Sequence, residues 1–438
     1  MLAGQSYSQG EDRMLVGSSI RRVAIIGGVR IPFARSMGAY AEASNQEMLT
    51  AALEALVERY SLRGERLGDV GAGAVLKHSR DFNLTRECVL SSGLAPETPA
   101  FDLQRACGTS LDTAIVLGLK IAAGQIDSAI AGGVDTASDV PIVYPDAYRT
   151  LLLKSARGKS LAEKLTPWLG LKPSHFKPQL PAVVEPRTGL SMGQSAELMV
   201  NTWGITREEQ DRLALESHRK AAAAYDEGFY DDLVVEFRGL KQDNNIRRDT
   251  SLEKLAKLKP SFHPKGTLTA GNSTPMTDGA ACVLLASEEW ARARGLPVQA
   301  YLTYGKYAAV DFVNKEGLLM APAYAVPRML ADAGLKLQDF DFYEIHEAFE
   351  AQVLCTLKAW QSPEFCRERL GLAEPLGAID MSKLNVKGGS VAIGHPFAAT
   401  GARIVATLAK LLALKGSGRG LISVCTAGGM GVTAILER

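Results

Sequence analysis

The chain has 438 residues, 46% of them apolar and 22% charged, enough to bury a large core and to hold two or three domains' worth of sequence. Lys plus Arg (49) and Asp plus Glu (48) cancel to a net charge of +1, so no global basic field points to nucleic acid or an anionic membrane, and any anionic ligand must be held by local groups. Six scattered cysteines without C-x-x-C spacing, no secretory leader and no run approaching the roughly 18 uncharged apolar residues of a spanning helix read as reduced thiols in a cytoplasmic chain with no transmembrane segment.

Residues 1–20 are polar, include Glu11 and Asp12, and read as a disordered tail rather than a transit peptide. Short apolar runs ending in glycine then alternate with helical patterns, which predicts an α/β fold of parallel strands covered by helices. Strands are expected over 23–28, 128–133, 281–286, 340–345 and 421–425. A helix over 45–60 repeats Met48, Ala51, Leu53, Leu56 and Val57 on one face, and another over 208–225 starts behind Thr206 as N-cap with Glu209 three residues on. Between about 140 and 193 the pattern gives way to seven prolines with interspersed basic residues, an inserted loop region with a weakly amphipathic basic helix over 151–171. Lys154, Arg157, Lys159 and Lys164 there are either solvated or available to nucleotide phosphates. Each half of the chain runs from a strand through a helix to a later glycine-rich strand end bearing a cysteine or histidine.

Four short motifs carry the chemistry: Arg105-Ala-Cys107-Gly-Thr-Ser110, His346-Glu-Ala-Phe349, Gly394-His395-Pro-Phe397 and Cys425-Thr-Ala-Gly-Gly429. Apolar spacing at Leu111, Ala114, Ile115, Leu117 and Ile121 puts Cys107 at a helix start, where the dipole favours a thiolate. His395 lies between Lys387-Gly-Gly-Ser-Val-Ala-Ile-Gly394 and a helix around 404–412, placed to take a thiol proton or polarise a carbonyl. Cys425 ends what reads as the last strand; a thiol with an intrinsic pKa of about 8.5 can shuttle a proton to and from carbon or sulfur. His346 ends another strand and opens a helix expected from Glu347, at the carboxyl edge where open α/β sheets hold ligands. No H-x-x-x-H or carboxylate spacing completes a resident metal site.

Together these motifs resemble the thiolase family, as do Gly266-Thr-Leu-Thr-Ala-Gly-Asn272-Ser-Thr274-Pro-Met-Thr-Asp278-Gly279 and Met192-Gly-Gln-Ser-Ala-Glu197. The resemblance implies a duplicated five-layer αβαβα fold, with an N-terminal half over 21–298 that includes the loop domain and a C-terminal half over 299–438. It implies acyl-CoA and coenzyme A as substrates, no permanently bound cofactor, and at least a homodimer or homotetramer. It also implies the roles. Cys107 is the nucleophile, His395 its base and Cys425 the second acid/base. His346 lies by the enolate oxygen, the backbone N–H groups of Cys107 and Ala427 form an oxyanion hole, and Met192, Thr274 and Phe349 contact substrate or coenzyme A. Many thiolases have Asn-Glu-Ala-Phe, Cys-x-Gly-Gly-Gly and Cys-Ser-Ser/Ala-Gly where this chain has His346, Ala427 and Gly108-Thr-Ser110. These departures resemble the 3-ketoacyl-CoA thiolase branch that includes β-subunits of trifunctional fatty-acid oxidation complexes, which implies longer acyl chains and a hydratase/dehydrogenase α-subunit as partner. A short-chain acetoacetyl-CoA thiolase and a decarboxylating ketosynthase are the rival enzymes, and a non-catalytic thioester-binding subunit is the rival outside enzymes.

Overall fold

A computed structural model describes residues 20–181 and 183–438. The tail expected over 1–20 lies outside the described residues except for Ile20, which is exposed. The strands are β1 (Val23–Arg30), β2 (Ala34–Arg35), β3 (Asp69–Ala72), β4 (Ala100–Asp102), β5 (Ser128–Asp135), β6 (Thr277–Ser287), β7 (Ala300–Ala309), β8 (Phe342–Ile345), β9 (Arg419–Thr426) and β10 (Met430–Glu437). They follow one hydrogen-bonded path, β4-β3-β5-β6-β1-β7-β10-β9-β8, with β2 beside β6.

The path contains one pattern twice. β3-β5-β6-β1 pair parallel, antiparallel and antiparallel, and so do β8-β9-β10-β7. The halves meet edge to edge at β1 and β7 through Ala24↔Tyr301 and Ile25↔Ala300 alone, so the two sheets of a duplicated fold join at one seam. The expectation of parallel strands is corrected by this mixed pairing, because strands buried on both faces, as β5 and β6 are throughout, read as continuous apolar runs whatever their direction. β9 is also not the last strand. A turn at Ala427–Gly429 folds β10 back on it, which places Cys425 and Ala427 in a hairpin.

The helices Thr109–Ala122 and Thr400–Lys415 pack against each other between the halves, with Leu111, Leu117, Ile404 and Leu408 sharing one core with Ile25, Val283, Ile422 and Val432. A Cβ on Gly401 would lie 2.3 Å from the Leu111 backbone nitrogen, so only glycine allows this crossing. The helix Asn45–Arg59 covers the outer face of the first sheet and the helices Ala321–Ala333 and Glu350–Gln361 that of the second, giving five layers. Among the described residues Phe397–Lys415 is long and apolar enough to cross a membrane, and it is this buried central helix. Asn45–Arg59 and Arg207–Asp226 begin with capping boxes, Ser44 with Glu47 and Thr206 with Glu209.

In the loop region the single helix expected over 151–171 is instead the helix Asp146–Arg157, a break at Gly158 and the short helix Leu161–Leu165. Lys154, Arg157, Lys159 and Lys164 are exposed. The region returns to the core through the bridge Val184↔Ser191 and the helix Met192–Trp203.

Candidate active site

Cys107 sits two residues before the helix Thr109–Ala122, on an elbow that the sequence does not announce. Ala106 has φ of 44°, a left-handed conformation costing a residue with Cβ about 1–2 kcal/mol. Thr109 holds it there: its hydroxyl donates to the Ala106 carbonyl (2.7 Å) and accepts from the Arg105 N–H (2.9 Å). Ser110 accepts the N–H of Ala402 (2.8 Å) and so ties the elbow to the helix behind His395. The Gly-Thr-Ser departure thus has a mechanical role.

His395 Nε2 lies 3.1 Å from Cys107 Sγ, and its Nδ1 lies 2.6 Å from Thr400 Oγ1. With Nδ1–H donating to Thr400, Nε2 is left as an acceptor for the thiol proton. The loop is anchored by Asp135 at the end of β5, which accepts the N–H groups of Val75, Leu76 and Ala398. Burial pushes the Cys107 thiol up to about 12, with Asp135 adding to the rise and the backbone N–H groups of Ala427 and Cys107 opposing it. Burial likewise pulls His395 down to about 3. The dipole-activated thiolate expected from sequence is therefore corrected to a neutral thiol beside a neutral imidazole, because desolvation outweighs one helix end.

His346 and His395 have ring centroids 4.1 Å apart. The helix expected from Glu347 begins at Glu350, and the residues before it form a buried extended segment. His346 Nδ1 lies 2.8 Å from Ser390 Oγ, which also accepts from Arg403 (2.8 Å), itself 3.7 Å from Glu344. Arg403 only donates, so the Ser390 hydroxyl proton is free for Nδ1, an arrangement that places the imidazole proton on Nε2 whenever Ser390 is the donor. Buried His346 Nε2 has no hydrogen-bond partner of its own. Burial, with His395 next, holds His346 well below the usual histidine range. Ser390→Ala is expected to release this tautomer and lower turnover about tenfold, roughly one hydrogen bond to a developing charge, while alkylation of Cys107 by iodoacetamide keeps its rate. An equal fall in both would mean that Ser390 only supports the fold.

Cys425 is buried at the end of β9, 3.3 Å from Gln352 Oε1 as its acceptor. Burial, then the Cys107 sulfur, raises its thiol well above the usual value, so it stores a proton instead of titrating near neutrality as the sequence suggested. The Ala427 N–H faces Cys107 Sγ beside the N–H of Cys107 itself, so two main-chain donors converge on the sulfur. Gly428, at φ of 75°, turns the hairpin, and its N–H donates to Glu185 (2.7 Å), clamping the loop region onto the site.

A cavity of about 560 Å³ opens on Cys107, lined by Leu76, Val140, Leu180, Met192, Met276 and Met430 among others. Met192 therefore lies where a substrate contact was expected. Phe349 packs edge-on against Phe262 at 5.7 Å in the cluster that holds Cys425, behind the site rather than on the cavity wall. Thr274 donates its hydroxyl to the Ala348 carbonyl (3.1 Å) and straps the His346 segment. A second cavity of about 320 Å³, across the Pro275–Met276 segment, is lined by Arg35, Arg247 and Lys254.

Sequence reasoning passed over Thr109, Ser390, Thr400, Arg403, Gln352, Asp135 and Glu185. Ser390 and Thr400 each lie five residues from His395, beside the motif already singled out, a signal that was available. Thr109 lies inside the Cys107 motif itself, and Arg403, Gln352, Asp135 and Glu185 arrive from other elements.

Comparison with known proteins agrees with this geometry. The family models for the thiolase N-terminal domain and the thiolase C-terminal domain match residues 23–289 and 297–438. The 3-ketoacyl-CoA thiolases of Yersinia pestis (strain Pestoides F) and Yersinia pseudotuberculosis serotype O:1b are each 41% identical over 423 residues, covering 95% of this chain and 97% of the relative. Among solved structures, Bacillus anthracis acetyl-CoA acetyltransferase superposes with a TM-score of 0.80 at 29% identity, covering 96% of this chain and 100% of its own. Human mitochondrial 3-ketoacyl-CoA thiolase gives 0.79 at 27%, covering 95% and 99%. With both domain models matched in order around the paired Cys107 and His395, the chain belongs to the thiolase family.

Proposed function

We propose that this chain is a 3-ketoacyl-CoA thiolase, cleaving 3-ketoacyl-CoA with coenzyme A to acetyl-CoA and a shortened acyl-CoA in fatty-acid degradation. The observation that carries the reading is the 3.1 Å contact between Cys107 Sγ and His395 Nε2, with a second buried thiol, Cys425, near enough to feel the first.

Cys107 gives its proton to His395 Nε2 as its sulfur bonds the 3-keto carbon, and the oxygen that gains charge is held by the N–H groups of Cys107 and Ala427. The bond between the second and third carbons breaks, and its electron pair leaves as the acetyl-CoA enolate. The protonated Nε2 of His395 and the Nε2–H of His346 face that enolate oxygen, and Cys425 gives its proton to the carbon. After acetyl-CoA departs, coenzyme A passes its thiol proton to Cys425 and attacks the acyl carbon. Cys107 leaves as the thiolate and recovers its proton from His395. Coenzyme A is a substrate in this cycle, with Arg35 and Arg247 of the second cavity as counter-charges for its phosphates, Lys254 there being paired with Asp249 at 2.6 Å. A decarboxylating ketosynthase has no use for Cys425, since loss of carbon dioxide itself supplies the carbanion.

The apolar wall of the larger cavity favours longer acyl chains over acetoacetyl-CoA. Val140→Trp, which narrows it, is expected to lower kcat/KM for a palmitoyl-length 3-ketoacyl-CoA at least about tenfold relative to acetoacetyl-CoA. An even loss at all lengths would show that the chain runs elsewhere. Six unpaired cysteines support a reducing, cytoplasmic setting. For the assembly, the reading carries at least a homodimer and a hydratase/dehydrogenase α-subunit. Exposed Ile142, Leu161, Leu169 and Leu180 of the loop region offer apolar surface for such contacts. The deciding assay is coenzyme A-dependent cleavage across chain lengths. Activity confined to acetoacetyl-CoA would move the enzyme to the short-chain class, and no cleavage at any length would end the reading.

A further inference from the structure

We infer that Cys107, His346 and His395 form a binding site for a zinc-class divalent ion, which would mask the nucleophile as a reversible inhibitor and is not a resident cofactor. One donor atom from each of the three residues lies within 4.8 Å of the other two. His395 Nε2 and Cys107 Sγ are already 3.1 Å apart, and the imidazole centroids 4.1 Å. A tetrahedral zinc with bonds of about 2.0–2.1 Å to nitrogen and about 2.3 Å to sulfur holds its ligand atoms roughly 3.3–3.6 Å apart. At the 4.8 Å limit the widest pair would therefore have to close by about 1.2–1.5 Å.

The surroundings are those of a metal site. Each ring has its Nδ1 held from outside, His346 by Ser390 at 2.8 Å and His395 by Thr400 at 2.6 Å, which fixes the ring and leaves Nε2 as the inward donor. His346 Nε2, in a residue 1% exposed, has no protein partner. Two imidazoles and one thiolate are a donor set for zinc rather than for magnesium or calcium, which take oxygen. Cys107 also lines the 560 Å³ cavity, so the fourth position opens toward it and the ion has a way in. On binding, the Cys107 proton leaves to solvent, and the His346 proton moves from Nε2 to Nδ1, where Ser390 Oγ accepts it. No electron is transferred. The third donor exists because this chain has histidine at 346 where many thiolases have asparagine, so susceptibility to zinc would accompany that substitution.

The test uses the metal alone. The purified protein is titrated with zinc chloride against a chromophoric chelator, and with cobalt(II) while the near-ultraviolet thiolate-to-cobalt charge-transfer band is followed. One equivalent is expected to bind, with the band present and Cys107 protected from iodoacetamide. Affinity is expected to fall at least tenfold in His346→Asn and the band to vanish in Cys107→Ala. Binding of the same strength in both variants, or absence of the band from the unaltered protein, would overturn the inference. No acyl substrate enters the measurement, so its result is independent of the thiolytic reading.

Discussion

Cys107→Ala is expected to lower thiolytic turnover by about ten-thousandfold or more, because it removes the atom that carries the acyl group and leaves His395 with no thiol to deprotonate. The fold should persist, with a shift in Tm of only a few degrees. The side chain is half-buried beside a cavity, and the elbow is held by Thr109 and Ser110, neither of which bonds to the sulfur. Turnover above about a hundredth of the original would sink the assignment of Cys107 as nucleophile. The unaltered enzyme offers a companion measurement. Burial pushes Cys107 up to about 12 and His395 down to about 3, so both members are neutral across the neutral range. Alkylation of Cys107 should then keep accelerating as pH rises through neutrality. A rate that levels off near pH 6 would reveal a preformed thiolate–imidazolium pair instead.

How such a pair comes together follows from the duplication. Cys107 precedes the central helix of the first half, His395 that of the second, and Gly401 lets the two helices cross against Leu111 close enough for a 3.1 Å contact between residues 288 positions apart. Part of this was legible in the sequence. Strand ends, helix starts and glycine flanks mark Cys107, His346, His395 and Cys425, since a functional group at the edge of a packed sheet needs those features locally. The strand directions were not, because residues buried on both faces lose the alternation that distinguishes them. The protonation states were not either. A thiol at a helix start looks activated until the burial around it and the nearby Asp135 carboxylate, both of which raise its pKa, are placed by the fold. The Ser390–Arg403–Glu344 chain behind His346 draws on three elements, and only Ser390 lies within a motif that could be read in advance.

Cys425→Ala should cost about a thousandfold in turnover, within the range for loss of a positioned general acid–base group, yet leave Cys107 as reactive toward iodoacetamide as before. The two results separate because Cys425 has no bond to the Cys107–His395 pair. Its thiol donates to Gln352, and it packs in one cluster with Phe349, Leu268 and Ala321. Burial keeps the proton on its sulfur in the resting enzyme, and in the proposed cycle the group is a donor first and a base only after the enolate has taken that proton. Incubating the enzyme with acetyl-CoA in deuterium oxide reads this step directly. The unaltered protein should exchange the methyl hydrogens of acetyl-CoA with solvent, and Cys425→Ala should not. Persistent exchange in the variant would transfer the proton-carrying role to one of the two imidazoles, His395 or His346, and would leave Cys425 as a packing residue in the β9–β10 hairpin.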